Sequence, residues 1–423
     1  MTGTAWWDNV VLEAVPPKVM ETFLVEPAYR GRVTKTWPPQ VRVQLSVSAL
    51  PQIVPADYTF TATLARATGS ASPIEVVTVP GASLPQNLSV VVGFKTDPRS
   101  VLQPGSYTVT VAALKGGVVQ LSKHYNLTRV DDGRPAAAVW IDGQRRLIAN
   151  GKAFFPIGMY AGDLKPADFD RFRGSAFNTL MPYHQLNSTQ MDWAHAAGIK
   201  IAYTVKDDFC GHSLKCNTSS FDLEKVTRAV NEFKGHPATL MWYTNDELGV
   251  TWVSTLDEHQ QLIQSLDYDH PTWSVLYEAP QIDKYADTCD TIGTDPYPIP
   301  DHPVSEVRDW TNDTHRLLVG TKAIFEVIQA HNAQNYGHPG RTPTLNETRS
   351  MVWQAIAVGA NGIFFYSYFD ILRNPDVPFE IQWARLSAVS AEVTAFAPCL
   401  LSNQGAAPAV LGGAPWLVTR ERW

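Results

Sequence analysis

The residues best suited to chemistry are carboxylic acids in and after apolar segments of the chain. Asp246 and Glu247 come soon after the segment 240–244, and Glu326 lies within the segment 323–329. A carboxylic acid donates a proton at neutral pH only when its pKa is raised, and a neighbouring carboxylate beside aromatic residues raises it. We therefore expect Glu247 to act as a general acid and base.

Other polar and aromatic side chains stand at or just after the ends of the apolar segments in this half of the chain. In chain order they are Tyr160, Tyr183, His184, Asp207, Asn245, Asp295, Tyr297, Gln329, His331, Tyr366 and Tyr368. Carboxylates catalyse reactions at acetals, and aromatic faces stack on sugar rings. No cysteine nucleophile or Gly-x-Ser-x-Gly turn occurs among them. We therefore expect these side chains to bind a carbohydrate.

The elements that must position these residues are apolar runs alternating with helical stretches. Eight runs are recognisable, at 155–160, 177–183, 200–205, 240–244, 272–277, 291–296, 323–329 and 362–368. This pattern is typical of parallel strands with crossover helices, and eight such units close a (β/α)8 TIM barrel of the α/β class. The alternative, an open doubly wound sheet, usually carries a Gly-rich phosphate loop after its first strand, and residues 158–162 do not form one.

Helix starts are readable between these runs. Thr255 with Glu258, and Thr344 with Glu347, match the capping box, in which the two side chains satisfy each other's free backbone amides. Both pairs therefore predict the first turn of a helix.

The first third of the chain has the two-residue alternation of antiparallel strands, with Pro and Gly between them. It predicts an immunoglobulin-like β-sandwich over residues 31–135, followed by the barrel over 136–400. Residues 1–30 are expected to form an edge strand or the remnant of another module. Residues 401–423 are expected to be a strand, or the start of a further β domain. Whether the chain is a fragment of a longer protein stays open.

Charge and composition exclude several functions. The net charge of −7 argues against a nucleic-acid binder, because a polyanion would be repelled. No run of about 18 apolar residues is present to insert into a membrane. The four cysteines have no zinc-ligand spacing, so we expect no metal site. Cys210 and Cys216 are equally compatible with a disulfide and with two free thiols.

Glycosylation signals indicate the compartment. Asn-x-Ser/Thr triplets begin at Asn87, Asn126, Asn187, Asn217, Asn312 and Asn346. They favour a secreted, extracellular glycoprotein whose signal peptide lies outside this chain.

Three motifs carry a resemblance to a known group of enzymes. They are LMWYTNDEL at 240–248, TIGTDPYP at 291–298 and KAIFEVIQAH at 322–331. Residues 150–398 resemble the retaining clan A glycoside hydrolases. The resemblance implies Glu247 as acid/base, Glu326 as nucleophile and Tyr297 as the residue that orients the nucleophile. The clan has Asn directly before the acid, whereas here Asp246 takes that place and Asn245 precedes it, so either could hold the group at C2 of the sugar.

The function expected from these observations is retaining hydrolysis of glycosidic bonds in a polysaccharide or glycan, without a cofactor. One alternative is a substrate-assisted N-acetylhexosaminidase-like enzyme that uses Asp246 and Glu247 and dispenses with Glu326. A second alternative is a barrel that binds carbohydrate without cleaving it. The sugar, its linkage, endo or exo action and the oligomeric state stay open.

Overall fold

The structure is a computed structural model that describes residues 18–68, 72–209, 223–277 and 279–403. The chain divides into two compact units after Gly133. Each unit has its own hydrophobic core, and each is described by itself.

The first unit is a β-sandwich of two sheets, with strand orders β1-β3-β6 and β2-β8-β7-β4-β5. Its strands are β1 (Glu21–Glu26), β2 (Arg32–Val33), β3 (Arg42–Ser46), β4 (Tyr58–Arg66), β5 (Glu75–Pro80), β6 (Ser89–Gly93), β7 (Gly105–Lys115) and β8 (Val118–Arg129). A short helix, α1 (Pro98–Val101), precedes β7. Along β7, Tyr107, Val109 and Val111 are buried while Thr108 and Thr110 are not, which is the alternation that predicted these strands.

The start of the sandwich differs from the expected division at residue 30. Strand β1 pairs antiparallel with β3 from Glu21 opposite Ser46 to Glu26 opposite Arg42. Residues 21–26 therefore belong to the sandwich and not to a separate segment. Most of the expected flanking segments, 1–17 and 404–423, lie outside the described residues.

The second unit begins with a small antiparallel sheet of order β11-β10-β9. Its strands are β9 (Val139–Ile141), β10 (Leu147–Ala149) and β11 (Lys152–Phe154). Strand β9 is also bonded to a later part of the same unit, because the Val139 N–H donates to the backbone oxygen of Asp269 at 3.0 Å.

Eight parallel strands then close a barrel in sequential order, which confirms the TIM barrel and each predicted strand. They are β12 (Ile157–Ala161), β13 (Thr179–Pro182), β14 (Lys200–Thr204), β15 (Thr239–Asp246), β16 (Thr272–Leu276), β17 (Thr291–Thr294), β18 (Ala323–Gln329) and β19 (Gly362–Tyr366).

The helices of this unit follow the strands. They are α2 (Pro166–Arg173), α3 (Ser188–Ala196), α4 (Lys206–Phe209), α5 (Leu223–Phe233), α6 (Val253–Leu266), α7 (Glu306–Leu317), α8 (Leu345–Ala357), α9 (Tyr368–Ile371) and α10 (Phe379–Leu400). No helix among the described residues is both long and apolar enough to cross a bilayer.

One of the two predicted capping boxes is confirmed. Thr344 Oγ1 accepts from the N–H of Glu347 at 3.3 Å, and Glu347 Oε2 accepts from the N–H of Thr344 at 2.9 Å. The prediction at Thr255 is wrong, because a 3-10 turn over Val250–Trp252 runs directly into α6 and puts Thr255 inside the helix.

The barrel strands are buried on both faces, so successive residues point alternately into the barrel and towards the helices. Trp273, Phe325 and Phe364 fill the interior, with ring centroids 4.3 Å apart for Trp273 and Phe364. Gly293 and Gly362 leave room for Phe325, since a Cβ at either position would collide with it. Neighbouring residues such as Ile328 belong instead to the core shared with the helices. This alternation decides which carboxyl groups reach the end of the barrel.

Candidate active site

The carboxyl ends of β15 and β17 bring two acids into contact. Glu247 directly follows β15 and Asp295 directly follows β17. Their side-chain carboxyls are hydrogen-bonded to each other. Because two ionised carboxylates repel each other, we expect the pair to hold one proton.

The environment raises the pKa of both acids in this pair. Burial, followed by the charge of Glu247, raises the pKa of Asp295 well above its usual range. Burial raises the pKa of Glu247, its hydrogen bond with Asp295 lowers it, and the charge of Asp246 raises it. Glu247 keeps an exposed surface, whereas Asp295 is only 8% exposed, so water screens Glu247 more. Because the two carboxyls interact, they titrate as a unit.

The backbone holds Glu247 in an unusual conformation. Its φ angle is +59°, in the left-handed region that residues other than glycine rarely adopt. Its N–H donates to the backbone oxygen of Val275 at 2.9 Å, and Asn245 Oδ1 accepts from the N–H of Leu248 at 3.2 Å. Asn245 is completely buried. These bonds fix the turn, so Asn245 positions Glu247, whereas the sequence predicted a substrate contact.

Asp246 is held by two phenols and an ammonium group. Tyr243 Oη donates to one carboxylate oxygen at 2.8 Å and Tyr183 Oη to the other at 3.0 Å. Lys206 Nζ lies 3.5 Å from Asp246 and 2.9 Å from Asp207 Oδ1, and 4.7 Å from the ring centroid of Tyr183. Asp246 is therefore a fixed anion beside the pair, and Asp207 belongs to the same network.

Tyrosine rings line this end of the barrel. The Tyr160 ring lies 5.7 Å from Tyr183 and 5.4 Å from Tyr366, and Tyr297 lies 5.6 Å from Tyr366, between ring centroids. Tyr297 Oη donates to Asp295 Oδ2 at 3.4 Å. Burial raises the pKa of Tyr160 and Tyr297 well above the usual value, so these phenols stay neutral hydrogen-bond donors.

His331 joins the tyrosines, whereas Gln329 has a different role. The His331 ring is 4.8 Å from that of Tyr297, and burial lowers the pKa of His331, which favours the neutral imidazole. Gln329 accepts from the N–H of Ile299 at 2.8 Å and donates to its backbone oxygen at 2.8 Å. Because both ends of this buried amide are occupied, Gln329 supports the loop after β17 and does not fit the expected role in binding substrate.

Glu326 is in a different layer from the pair. The Thr294 hydroxyl donates to Glu326 Oε1 at 2.6 Å and the Thr294 N–H to Oε2 at 3.3 Å, and the Thr311 hydroxyl of α7 lies close enough to lower the pKa of Glu326. Its neighbour Phe325 points into the barrel, so Glu326 points between the barrel and the helix. It is completely buried, and burial raises its pKa to about 8. The expected nucleophile is thus enclosed beside threonines, and its charge comes last among the causes that raise the pKa of Asp295.

Two further expected contacts are also absent from this cluster. Tyr368 packs against Phe172 and Trp383, with centroids 5.1 and 5.9 Å apart, and its hydroxyl donates to Asp168 Oδ1 at 2.9 Å. Tyr368 therefore faces the helices; it begins α9, two residues beyond the end of β19. His184 is exposed after β13, and no described contact joins it to the acids.

Sequence reasoning missed Tyr243 and Lys206, and it gave Asp295 too small a role. Tyr243 lies within a strand, and a register irregularity between Tyr243 and Asn245 means that counting alternate residues back from Asp246 does not give its inward direction. The pairing of Asp295 with Glu247 had no local signal, because it depends on the adjacency of β15, β16 and β17 in the closed barrel.

No group of three metal-binding side chains occurs among the described residues. Cys289 is buried and Cys399 is exposed, and both are free. Cys210 and Cys216, which the sequence left equally compatible with a disulfide and with two free thiols, lie outside the described residues.

No protein-family model and no curated protein matches the chain. Among solved structures, it is similar to the β-D-glucuronidase of Dictyoglomus thermophilum, with 14% identity, a TM-score of 0.44, and coverage of 83% of this chain and 62% of that one. A Ruminococcus gnavus β-glucuronidase in complex with D-glucuronic acid has 11% identity, a TM-score of 0.43 and coverage of 83% and 61%. A glycosyl hydrolase family 2 member from Bacteroides cellulosilyticus has 13% identity, a TM-score of 0.40 and coverage of 82% and 43%. The chain thus spans less than two thirds of each protein, and neither a family nor a substrate follows from likenesses at this level.

Proposed function

We propose that the protein is a glycoside hydrolase that cleaves a polysaccharide or glycan at the carboxyl end of its barrel. The observation that carries the proposal is the hydrogen-bonded pair of Glu247 and Asp295 beside the tyrosine rings. Hydrolysis of an acetal needs one carboxylic acid and one carboxylate at the same bond, and a pair that holds one proton supplies both.

The mechanism we infer is a double displacement with retention. A sugar entering between the acids separates them, and the shared proton moves from Asp295, which has the more strongly raised pKa, to Glu247. Glu247 gives this proton to the glycosidic oxygen as the bond from C1 to oxygen breaks, while the Asp295 carboxylate forms a bond to C1. Glu247 then takes a proton from water, whose oxygen attacks C1 and releases Asp295. Asp295 takes the role that the clan A resemblance gave to Glu326, since Thr294 and Thr311 enclose Glu326.

A second candidate is substrate-assisted cleavage of an N-acetylhexosaminide. The fixed anion of Asp246 favours it, because a carboxylate beside the acid can orient an acetamido group that attacks C1 of its own sugar. Replacing the acetamido group of the substrate with trifluoroacetamido weakens this nucleophile. A rate that falls steeply with this replacement supports the second candidate, and an unchanged rate supports attack by Asp295.

The first experiment is turnover of a panel of aryl glycosides with neutral, N-acetylated and acidic sugars. We expect Glu247→Gln to lower kcat/KM by roughly a thousandfold on the best substrate, because general acid catalysis is removed. The matched control is Glu326→Gln, the same substitution at a second acid whose pKa is raised by burial, and it should keep kcat/KM within about threefold. No turnover of any glycoside, or equal losses in both variants, would contradict the proposal; binding without turnover would favour the carbohydrate-binding alternative.

The nucleophile is tested by trapping. A 2-deoxy-2-fluoro glycoside with a good leaving group slows both steps and lets the covalent intermediate accumulate. We expect mass spectrometry of peptides to find the sugar on Asp295. A label on another residue would remove Asp295 from this role.

We infer an immunoglobulin-like classification for the sandwich. Tyr107, near the start of β7, donates its hydroxyl to the backbone oxygen of Gln103 at 2.9 Å. This bond supports the classification because a tyrosine corner of this kind is a hallmark of such domains.

We further propose that the protein is a secreted glycoprotein. The sequon asparagines within the described residues are all exposed, at Asn87, Asn126, Asn187, Asn312 and Asn346. Asn217 lies outside the described residues. Expression through a eukaryotic secretory pathway should give a protein whose mass falls on treatment with an endoglycosidase, and an unchanged mass would contradict this.

A further inference from the structure

A line of rings leads from the acid pair to the rim of the barrel. Tyr297, which donates to Asp295, packs against Tyr366, and Tyr366 packs against Tyr336 with centroids 6.5 Å apart. Tyr336 ends a 3-10 turn over Ala333–Tyr336 after β18. It differs from the other rings in being 45% exposed.

The exposed ring of Tyr336 is rigidly held. Its hydroxyl donates to Asp370 Oδ2 at 2.7 Å and lies 3.1 Å from Tyr366 Oη. Asp370 is completely buried and is itself fixed by Ser367 Oγ at 2.6 Å and Arg373 Nη2 at 2.7 Å. A surface tyrosine without such partners would lose rotamer freedom on binding a ligand, whereas this one has already lost it in the fold.

We propose that Tyr336 forms the platform of a second sugar subsite, so that the protein takes an oligosaccharide and not a single sugar on a leaving group. The inference rests on the proposed function for the identity of the first subsite. Its occupant is a neutral pyranose unit of the same substrate, for two reasons: the C–H face of a pyranose stacks on an exposed aromatic ring, and the ring line joins this position to the acid pair. Two neighbours pack against the Tyr336 ring. The centroid of the His331 ring lies 5.4 Å from that of Tyr336, and the Arg373 guanidinium carbon lies 5.7 Å from it.

The test is binding measured by calorimetry in a Glu247→Gln background, which prevents cleavage during the titration. The probes are cellotriose, xylotriose, mannotriose and N-acetylchitotriose, each compared with its own monosaccharide. We expect at least one trisaccharide to bind at least tenfold more tightly than its monosaccharide. Adding Tyr336→Ala should lower this ratio about tenfold, since the stacking surface is removed.

Two variants separate a platform from a general loss of structure. Tyr336→Phe keeps the ring and should retain most of the ratio. Phe396→Ala removes an aromatic ring that is 52% exposed on α10, where it packs on Trp353, and should leave the ratio unchanged.

The outcomes distinguish this inference from the proposed function. If no glycoside is turned over but the ratio falls in Tyr336→Ala, the hydrolase proposal fails and the subsite stands. If glycosides are turned over but the ratio is the same in Tyr336→Ala, the subsite is overturned and the hydrolase stands. Failure of all four trisaccharides to bind more tightly than their monosaccharides also overturns the subsite.

Discussion

Two layers of the barrel each contain an acid with a raised pKa, and their surroundings differ. At the carboxyl end, Asp295 hydrogen-bonds to a second acid, Glu247, beside tyrosines that donate hydrogen bonds. Between the barrel and α7, Glu326 meets two threonine hydroxyls and is completely buried. Burial and a raised pKa are thus shared by both layers. The difference teaches that burial and a raised pKa do not by themselves make an acid a candidate for catalysis. The acid also needs a second carboxyl group beside it and a position at the end of the barrel, and of these two acids Asp295 has both.

The largest expected effect concerns the stability contributed by Glu326. Its folded pKa of about 8 exceeds the ordinary value of 4.5, so the folded state holds a proton between these pH values that the unfolded state releases. Stability therefore falls as the pH rises through this window, by about 4 kcal/mol at pH 8. Glu326→Gln removes the titrating carboxyl group. Urea denaturation should therefore find that the free energy of unfolding of the variant, relative to that of the wild type, is about 3 kcal/mol higher at pH 8 than at pH 5.

The matched control for this measurement is Glu392→Gln on α10. A hydrogen bond from Arg349 lowers the pKa of Glu392, so Glu392 is ionised throughout the range from pH 5 to pH 8. The stability difference for Glu392→Gln should be the same at both pH values. A parallel pH dependence of the wild type and Glu326→Gln would show that Glu326 does not titrate as proposed.

The second effect concerns the other layer. Asp295→Asn keeps the shape of the side chain and removes its charge, and we expect kcat to fall about a hundredfold or more because the carboxylate that attacks C1 is lost. At pH 8 the free energy of unfolding of Asp295→Asn should exceed that of the wild type, since the pKa of Asp295 is also raised and its ionisation destabilises the folded wild type. Initial rates on the best aryl glycoside measure the first expectation. Activity within threefold of the wild type would make Asp295 no more catalytic than Glu326.

A smaller effect is expected at Asn245, which acts on the pair through the backbone. Asn245→Ala removes the acceptor for the N–H of Leu248 and loosens the left-handed turn at Glu247. We expect kcat to fall about tenfold with little change in KM, the equivalent of a net hydrogen bond of about 1.4 kcal/mol. Asn245→Asp keeps the acceptor oxygen and should recover part of kcat. If KM rises while kcat holds, Asn245 contacts the sugar as the sequence predicted.

The smallest effect is expected in the helix layer at Tyr368. Tyr368→Phe removes the hydroxyl that donates to Asp168 and keeps the ring against Phe172. The free energy of unfolding should fall by about 1 kcal/mol, and kcat/KM should stay within twofold. A loss of activity without a loss of stability would return Tyr368 to the substrate site.

Much of this architecture could be predicted from local pattern. The two-residue alternation located the sandwich strands, and the apolar runs located all eight barrel strands, with β18 matching the prediction at both ends. The capping box at Thr344 was readable because its partners are three residues apart, whereas Thr255 misled because the preceding 3-10 turn leaves no local signal.

The candidate site could be predicted only in part. Asp246 and Glu247 were found because they stand at the end of a strand, and Tyr160, Tyr183, Tyr297 and Tyr366 gather with them for the same reason. Glu326 misled because a carboxylate within strand seven looks functional whichever way it points. A shift of one residue along a strand turns a side chain from the inside of the barrel to the layer of helices, and local sequence pattern does not show which of the two directions a residue takes.

The sequence by itself determined the order of strands and helices and the kinds of side chain at their ends, because hydrophobic periodicity and turn chemistry act over a few residues. The closed barrel decided which of those side chains meet. Glu247 and Asp295 are separated along the chain by β16 and its loops, and they touch because barrel closure packs β15, β16 and β17 side by side. Direction and proximity are properties of the packed strands, so only the tertiary structure could pair these acids and enclose Glu326.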